Sequence, residues 1–326
     1  MASKKSRKAR EREDELVAKA ATDEAKKAAK LAAKLEKAQE KAAEAVAAAP
    51  QRVADVLAVG AGFRLADVDP SSTPGFDGKK ADGEAALAAG AQPLSDLQER
   101  LWAASRGGDT RNVLLVVQAM DTAGKGGIMR HVVGAVDPQG VRHTAFKAPT
   151  AEERAHDFLW RIRRALPQAG EIGVFDRSHY EDVLVVRVHD LVPRATWSRR
   201  YATINRFEKS LADKGTTVVK VMLHISKDEQ KARLAERLDR PDKHWKYNPG
   251  DVDERGHWDA YQEAYQVALT RCSTQAAPWY VVPADKKWYA RWAVQQLLTD
   301  ALADLDPQWP VADFDVEAEK KRLAES

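Results

Sequence analysis

Short apolar runs alternate with amphipathic, helix-forming stretches from about residue 112 onward. The runs are rich in Val, Ile and aromatic residues, which is typical of buried strands. Strands that alternate with helices along a chain form a parallel sheet covered by helices on both faces. The pattern therefore predicts an α/β fold. The predicted strands are Val113–Gln118, Arg142–Phe146, Ile172–Phe175, Thr216–Ile225 and Trp279–Val282.

Amphipathic stretches precede, separate and follow these strands. Ligands of such sheets bind outside the carboxyl ends of the strands, so the residues that follow each strand are the first candidates for chemistry. The predicted helices are Leu94–Ala104, Lys125–Val136, Ala151–Ala165, Tyr180–Val188, Arg194–Lys214, Lys227–Leu238, His257–Cys272 and Lys286–Asp304.

The two ends of the chain differ from the alternating region. Residues 1–50 are mostly Ala, Lys, Glu and Arg and predict a charged arm, either a solvated helix or partly disordered. Weak electrostatic contact with nucleic acid or polyphosphate is the alternative for this arm. Residues 51–93 hold several Gly, Pro and Asp residues and predict an irregular lead-in. One domain is expected over 94–305, followed by a C-terminal tail over 306–326.

Composition narrows the class of protein. The 326 residues carry a net charge of +3, and residues 1–50 alone carry +4, so the rest of the chain is nearly neutral. Anion binding there must depend on local clusters of basic residues. The single cysteine excludes an intrachain disulfide framework and predicts a cytoplasmic protein. No membrane span and no secretory signal are expected, because no apolar run is long enough for a span and the basic N-terminus has no apolar core.

The segment after the first predicted strand has the layout of a phosphate-binding loop. A Gly-Lys-Gly-Gly turn separates this strand from a helical pattern. Backbone N–H groups at such a turn point to an anion, and Lys125 adds a mobile positive charge. Ala119 stands where the first glycine is usual, and Gly126 stands where a Ser or Thr hydroxyl would bind magnesium. The predicted phosphate-binding residues are Ala123, Gly124, Lys125, Gly126, Gly127, Arg130 and Lys147.

Two acids predict a divalent metal site. Asp121 lies inside the loop, where a bare carboxylate would repel phosphates unless a cation lay between them. Asp176 follows the apolar run Ile172–Phe175 and resembles a Walker B acid, so both acids are expected at the same sheet edge. Together they would hold Mg²⁺, with Mn²⁺ as a substitute. The alternative for Asp176 is an ordinary cap of the helix that begins near Ser178.

The two residues beside Asp176 have competing interpretations. Arg177 could clamp a transferring phosphoryl group with its planar guanidinium, or form a surface ion pair. His179 could act as an acid or base. Phosphoryl transfer needs mainly positioning and charge stabilisation, so a structural histidine is favoured. The predicted catalytic residues are Asp121, Lys125, Asp176 and Arg177.

A basic segment over about 233–265 predicts a lid. Pro241, Pro249 and Gly250 break any continuous helix there, and basic residues alternate with aromatic ones. Such a mixture suits closure over a nucleotide, with charge for the phosphates and a ring for the base. A packed surface loop with buried tryptophans is the alternative. The predicted nucleotide and lid residues are Arg237, Arg240, Lys243, Trp245 and Lys246, whereas Trp258, Trp279, Trp288 and Trp292 are assigned to the core.

At these segments the chain resembles the polyphosphate kinase 2 family, the polyphosphate:nucleotide phosphotransferases. The resemblance covers roughly Leu94 to Leu305. It implies a P-loop kinase-like fold with a five-stranded parallel sheet between helices and a helical lid. The matching pieces are Ala119-Met-Asp-Thr-Ala-Gly-Lys-Gly-Gly127, His156-Asp-Phe-Leu-Trp-Arg161, Phe175-Asp-Arg-Ser-His-Tyr180, Lys243-His-Trp-Lys246 and Trp258-Asp-Ala-Tyr261.

The resemblance also implies an activity and the roles of residues. Phosphoryl groups would move between inorganic polyphosphate and AMP, ADP or ATP, with Mg²⁺ and without a specific nucleic acid partner. A homo-oligomer is expected by resemblance. The family's loop acid, loop lysine, Walker B acid and arginine fall on Asp121, Lys125, Asp176 and Arg177, and its lid basic residues fall on Arg237, Lys243 and Lys246.

Two other functions stay open from the sequence. An ATP-dependent nucleoside or nucleotide kinase of the same fold is one, although its loop lysine is more often followed by Ser or Thr. A non-catalytic scaffold that binds polyphosphate or RNA through residues 1–48 is the other. Anion binding alone gives no reason for two placed acids, so the kinase hypotheses are favoured.

Overall fold

The computed structural model describes residues 52–326, so the predicted arm over 1–50 lies outside the described residues. Five parallel strands form one sheet in the order β2-β3-β1-β4-β5. The central strand is buried along its whole length, as a sheet covered on both faces requires. The predicted α/β fold is confirmed. The strands are β1 (Asn112–Ala119), β2 (Val141–Ala145), β3 (Ile172–Asp176), β4 (Thr216–His224) and β5 (Trp279–Pro283).

Helices of very different lengths connect and cover these strands. None of them, within residues 52–326, is long and apolar enough to cross a membrane. The α-helices are α1 (Val53–Leu57), α2 (Lys80–Ala89), α3 (Ala91–Arg106), α4 (Lys125–His131), α5 (Ala151–Arg154), α6 (Trp160–Ala165), α7 (Val185–Val188), α8 (Arg194–Ala212), α9 (Lys227–Asp239), α10 (Gly250–Glu254), α11 (Trp258–Cys272), α12 (Lys287–Leu305) and α13 (Val316–Ala324). Short 3₁₀ helices span Leu65–Asp67, Val133–Ala135, Pro138–Gly140, His179–Asp182, Pro241–Lys246 and Arg255–His257.

Two groups of helices pack against the sheet. The long helix α12 contacts α2, α3 and α4 and also lies against β4 and β5. Helices α8 and α11 contact each other, and α8 packs on β4. The core between these layers includes the four tryptophans that the sequence assigned to it, Trp258, Trp279, Trp288 and Trp292, all of which are buried.

The lead-in over 51–93 is not irregular throughout, so that prediction was wrong for Lys80–Ala89, which is helical. The backbone N–H of Lys79 donates to Asp82 and begins the helix with a capped turn. Gly83 lowers the intrinsic helix preference, but a Cβ there would lie 2.1 Å from the ring of Trp288. Close packing against Trp288 therefore outweighs the helix propensity that the local sequence shows.

Three predicted helices are interrupted. Lys125–Val136 ends as an α-helix at His131, and a 3₁₀ turn follows. Ala151–Ala165 divides into α5 and α6. Tyr180–Val188 divides into a 3₁₀ helix and α7. Asp157 causes one of these breaks, because its side chain accepts the backbone N–H of Leu159, which a continuous helix would bond to a carbonyl one turn earlier.

The structure predicts that the only cysteine is unreactive in the folded protein. Cys272 is fully buried, and burial raises the pKa of its thiol to about 12. The thiolate is the species that reacts. We therefore expect no modification by an aromatic disulfide reagent at pH 8 in the native protein and one thiol per chain after unfolding in guanidinium chloride. Rapid labelling of the native protein, followed by absorbance, would contradict this.

Candidate active site

A tight loop joins β1 to α4 at the centre of the sheet. Gly124 has a φ of 123°, which side chains rarely adopt, and it immediately precedes α4. The N–H groups of Gly127 and Ile128 both donate to the carbonyl of Gly124 and begin the helix. The Lys125 ammonium donates to the carbonyl of Ala119 at 3.3 Å, which folds the side chain back over the loop. The segment has the shape of the predicted phosphate-binding loop.

Ala119 in place of the usual glycine causes no backbone strain. It is the last residue of β1 and pairs with Leu223 of β4, so its backbone is extended. The positive φ values of the loop fall on Thr122 and Gly124 instead. The loop therefore tolerates a methyl group at 119 and requires glycine at 124.

The acid of the third strand lies beside this loop. Asp176 ends β3 in register with Val117 of β1, and the N–H of Arg177 donates to the Val117 carbonyl at 3.0 Å. Both Asp121 and Asp176 line one cavity of about 600 Å³. The sequence placed the two acids at the same sheet edge, and the structure brings them together there. Ser178, and not Asp176, accepts the capping hydrogen bond of the following 3₁₀ helix.

Arg177 follows Asp176 in the chain and pairs with Asp121. Its Nη2 donates to Asp121 Oδ1 at 2.9 Å. Burial lowers the pKa of Arg177, but Glu181 and Asp121, with Asp176, outweigh burial and raise it. The residue has a φ of 64°, a left-handed conformation that costs a non-glycine residue about 1–2 kcal/mol. The chain thus accepts strain at the position that directs a guanidinium to Asp121.

Basic side chains from three directions line the same cavity. Arg130 belongs to α4, Lys147 follows β2, and the lid contributes its arginines and lysines. Arg161 is buried next to this lining and donates to the Lys147 carbonyl at 2.8 Å. The predicted residues that line the cavity are Asp121, Ala123, Gly124, Lys125, Gly126, Gly127, Arg130, Lys147, Asp176, Arg177, Arg237, Arg240, Lys243 and Lys246.

Trp245 is the one predicted lid residue that does not line the cavity. Its side chain is among the most exposed large apolar groups of residues 52–326, with an accessible fraction of 78%. Its indole N–H donates to the Asp242 carbonyl, and the Lys246 ammonium lies 4.9 Å from its ring centroid. The buried tryptophan anchor considered for this loop is wrong at this position.

Arg233 was not predicted from the sequence. Its side chain is 5% exposed and forms hydrogen bonds to the phosphate-binding loop. Its Nη1 donates to the carbonyls of Thr122 and Ala123, and its Nη2 donates to those of Ala284 and Asp285. Its Nε donates to Glu229 of the same helix at 2.7 Å. Only the Arg/Glu spacing was visible in the sequence, because the four carbonyls come from two distant segments. The cavity has other lining residues that were not predicted: His131, Glu236, Asp251, Lys287 and Arg291.

A second cavity of about 270 Å³ adjoins the first. Asp121, Arg177 and Asp251 line both cavities. Burial, followed by the charge of Asp121, raises the pKa of Asp251. The walls of the second cavity combine the apolar and aromatic side chains of Met120, Leu184, Val185, Tyr261 and Tyr265 with the acids Asp121, Glu181, Asp251 and Glu254. A cationic cavity and a cavity of aromatic and acidic side chains therefore meet at Asp121 and Arg177.

The arrangement suits the transfer of a phosphoryl group. Lysines and arginines surround a space that is large enough for several phosphates, and two carboxylates lie at its base. Residues 52–326 contain no cluster of three or more His, Cys, Asp or Glu side chains that could hold a metal ion. A dication at the two acids would therefore take its remaining ligands from phosphate oxygens and water, as Mg²⁺ commonly does in proteins.

Comparison with known families decides the family. The family model of polyphosphate kinase 2 matches residues 77–310. The chain belongs to the polyphosphate kinase 2 family. The matched residues include all of α2, which lies in the predicted lead-in, and they end after α12. In this chain the predicted phosphate-binding loop follows β1, the central strand of the five-stranded parallel sheet.

Individual relatives agree with the family assignment. The AMP/ADP-polyphosphate phosphotransferase of Meiothermus ruber is 50% identical over 76% of this chain and 91% of that protein. The ADP-polyphosphate phosphotransferase of Rhodopseudomonas palustris is 45% identical over 67% of this chain and 78% of its own. The crystal structure of polyphosphate kinase 2 from Arthrobacter aurescens TC1 is 62% identical, with a TM-score of 0.84, and the alignment covers 85% of this chain and 98% of that chain.

Proposed function

We propose that this protein transfers phosphoryl groups between inorganic polyphosphate and the nucleotides AMP and ADP, with Mg²⁺ as the cofactor. The observation that carries the proposal is the meeting of two cavities at Asp121 and Arg177, one lined by lysines and arginines and one that combines aromatic and acidic side chains. The printed activities of the relatives from Meiothermus ruber and Rhodopseudomonas palustris support the same substrates.

The residues present fit a magnesium ion. Asp121 and Asp176 supply carboxylate oxygens, which Mg²⁺ prefers, and Gly126 explains why the loop needs its own acid, since it lacks the usual hydroxyl. When bound, the ion would draw charge from phosphate oxygens and orient them for in-line transfer. Mn²⁺ is expected to substitute because it shares this preference for oxygen.

The protein's own side chains then do three things. Lys125 and Arg177 stabilise the charge that spreads over the transferred group. Within residues 52–326, the Arg177 side chain forms a hydrogen bond only through Nη2, which donates to Asp121. Its other N–H groups are therefore available to a phosphate. The lid residues Arg237, Lys243 and Lys246 bind the polyanion and exclude water, which would otherwise hydrolyse the donor.

The nucleoside of the acceptor fits the second cavity better than the lid surface. Its aromatic and aliphatic side chains suit the face of a base, and its polar side chains suit the edge of the base and the ribose hydroxyls. The shared residues Asp121 and Arg177 would place the acceptor phosphate at the junction of the cavities. The acceptor oxygen is already ionised, so the reaction needs no strong general base. The stacking role predicted for Trp245 stays a prediction, with an exposed ring that lines neither cavity.

The test of the activity separates the three hypotheses. Purified protein with Mg²⁺ is incubated with ADP and polyphosphate, with ADP alone, and with AMP and polyphosphate, and products are resolved by chromatography. We expect ATP only when the polymer is present, ADP from AMP, and loss of both with excess EDTA. No transfer from polyphosphate, together with phosphorylation by ATP, would indicate an ATP-dependent kinase. Binding of polyphosphate without any transfer would indicate a scaffold.

Two further expectations belong to the proposal. We expect the reaction to take place in the cytoplasm, which fits the single buried cysteine. We also expect a homo-oligomer, which sedimentation of the full chain would measure.

A further inference from the structure

A fully buried charged pair lies under the segment that carries Asp176 and Arg177. Glu208 of α8 and Lys220 of β4 have no exposed surface, and Lys220 Nζ donates to Glu208 Oε2 at 2.6 Å. Neither residue lines either cavity, so neither touches a substrate in the proposed function. Buried ion pairs add little stability over apolar residues of similar size, because two charges must leave water. The pair therefore invites an explanation other than stability.

The pair holds the segment after β3 by two side chains. His179 Nε2 lies 3.1 Å from Glu208 Oε1, and the Tyr180 hydroxyl donates to the same oxygen at 2.8 Å. The Tyr180 hydroxyl also accepts a hydrogen bond from Lys220 Nζ at 2.8 Å. Both anchored residues are fully buried and lie two and three positions after Arg177. Lys220 is fixed in turn by the Cys272 carbonyl at the end of α11.

The pKa shifts in this network have opposing causes. Burial lowers the pKa of Lys220, and the charge and hydrogen bond of Glu208 oppose that fall. Burial and the charge of Glu208 raise the pKa of Tyr180 well above its usual value, so its hydroxyl stays a donor. Burial would raise the pKa of Glu208, but Lys220 and His179 outweigh it and hold that pKa below its usual value. Glu208 is thus an anion that accepts three hydrogen bonds.

Arg177 needs such an anchor more than its neighbours do. Its left-handed backbone is strained, and strained residues persist only where the surrounding structure fixes them. On its N-terminal side, the Arg177 N–H is bonded to Val117 of β1. On its C-terminal side, the fixed points are Ser178, which caps its own turn, and the His179 and Tyr180 bonds to Glu208.

We propose that the buried Glu208–Lys220 pair is a positioning device that holds Arg177 in its strained conformation and so directs its guanidinium to Asp121 and the transferred phosphoryl group. The inference rests on the role of Arg177 in the proposed function. Glu208, Lys220, His179 and Tyr180 act through Arg177, and they contact neither substrate nor metal.

Conservative variants separate positioning from stability. Y180F removes the hydroxyl that bonds to Glu208 and Lys220, and H179F removes the imidazole bond to Glu208. H179Q keeps an N–H donor near the position of Nε2. Y289F is the matched control, because the fully buried Tyr289 hydroxyl donates to the Pro74 carbonyl and lines neither cavity. Melting temperature, kcat and KM for ADP are measured for each variant with polyphosphate and Mg²⁺.

We expect Y180F and H179F to lower kcat on the order of tenfold with KM within about twofold, because misplacement of a transition-state contact affects kcat first. H179Q should recover most of the loss, and Y289F should lower the melting temperature without this fall in kcat. If H179F does not fold, Y180F decides, since it loses only an oxygen atom.

A double-mutant cycle with R177A gives the decisive readout. If the network acts through Arg177, Y180F should change the residual kcat of R177A by less than about twofold. An equal fall of kcat in both backgrounds would overturn the proposal, as would a wild-type kcat in Y180F. Failure of the proposed function is distinguishable, because the wild-type protein would then transfer nothing from polyphosphate, or R177A would retain full activity.

Discussion

We expect Asp176→Asn and Asp121→Asn each to lower kcat with polyphosphate and ADP by about 10²–10³-fold, the usual cost of removing one preorganised charge contact to a transition state. Both acids line the cavity beside Lys125, and asparagine keeps the shape of the side chain while it removes the charge. If the two carboxylates hold Mg²⁺, the concentration of Mg²⁺ that gives half-maximal rate should also rise in both variants. Initial rates measured over a series of Mg²⁺ concentrations provide both values.

The control for this pair is Asp190→Asn. Asp190 is exposed, lines neither cavity and has a φ of 48°, a conformation that asparagine adopts readily. We expect its rate and Mg²⁺ dependence to match the wild type. A wild-type Mg²⁺ dependence in both Asp121→Asn and Asp176→Asn would remove the metal role from these acids, even if kcat fell.

A nearly neutral body can bind a long polyanion because its charges are sorted in space. Lysines and arginines from the loop, the segment after β2, the lid and α12 converge on one cavity, whereas other basic residues are paired on the surface. The Asp121–Arg177 ion pair keeps the acid and the guanidinium close together at the base of that cavity. Local convergence, and not total charge, therefore explains the affinity for polyphosphate that we propose.

The strands and the placement of the two acids could be predicted from the sequence. The apolar runs that a sheet buried on both faces requires became strands, and the more polar Arg142–Phe146 gave the partly buried edge strand β2. In a parallel sheet the carboxyl ends of neighbouring strands meet at one edge, which put Asp176 level with Val117 and close to Asp121. Both predictions depend only on the regular geometry of strands in a parallel sheet.

Other features depend on contacts between distant segments and could not be predicted. Helix α2 forms where Gly83 packs against Trp288 of α12, a pairing that no local pattern records. Trp245 was placed with the cavity because of its basic neighbours, although its ring faces solvent. Arg233 resembled a solvated helix residue, since nothing local indicates that four carbonyls of the phosphate-binding loop and of residues 284–285 surround it.

Arg233→Met is expected to have the second largest effect. The variant leaves four carbonyl groups without their donor, and unsatisfied buried groups of this kind lower the free energy of unfolding by about 2–4 kcal/mol in total. The loop that carries Asp121 would also lose its support, so kcat should fall by at least about 10²-fold at a temperature where the variant is folded. Guanidinium chloride unfolding and steady-state kinetics measure the two effects separately.

Two further variants interpret that result. Arg233→Lys keeps the charge, but its compact ammonium cannot bond to residues 122–123 and to residues 284–285 at once. We therefore expect it to recover part of the stability and little of the rate. Lys231→Met changes an exposed residue of the same helix that lines neither cavity. It should hardly change the free energy of unfolding and should leave kcat within about twofold of the wild type, since surface substitutions usually have small effects. A folded Arg233→Met protein with a wild-type kcat would show that the loop keeps its catalytic geometry without this arginine, and the support we assign to Arg233 would be wrong.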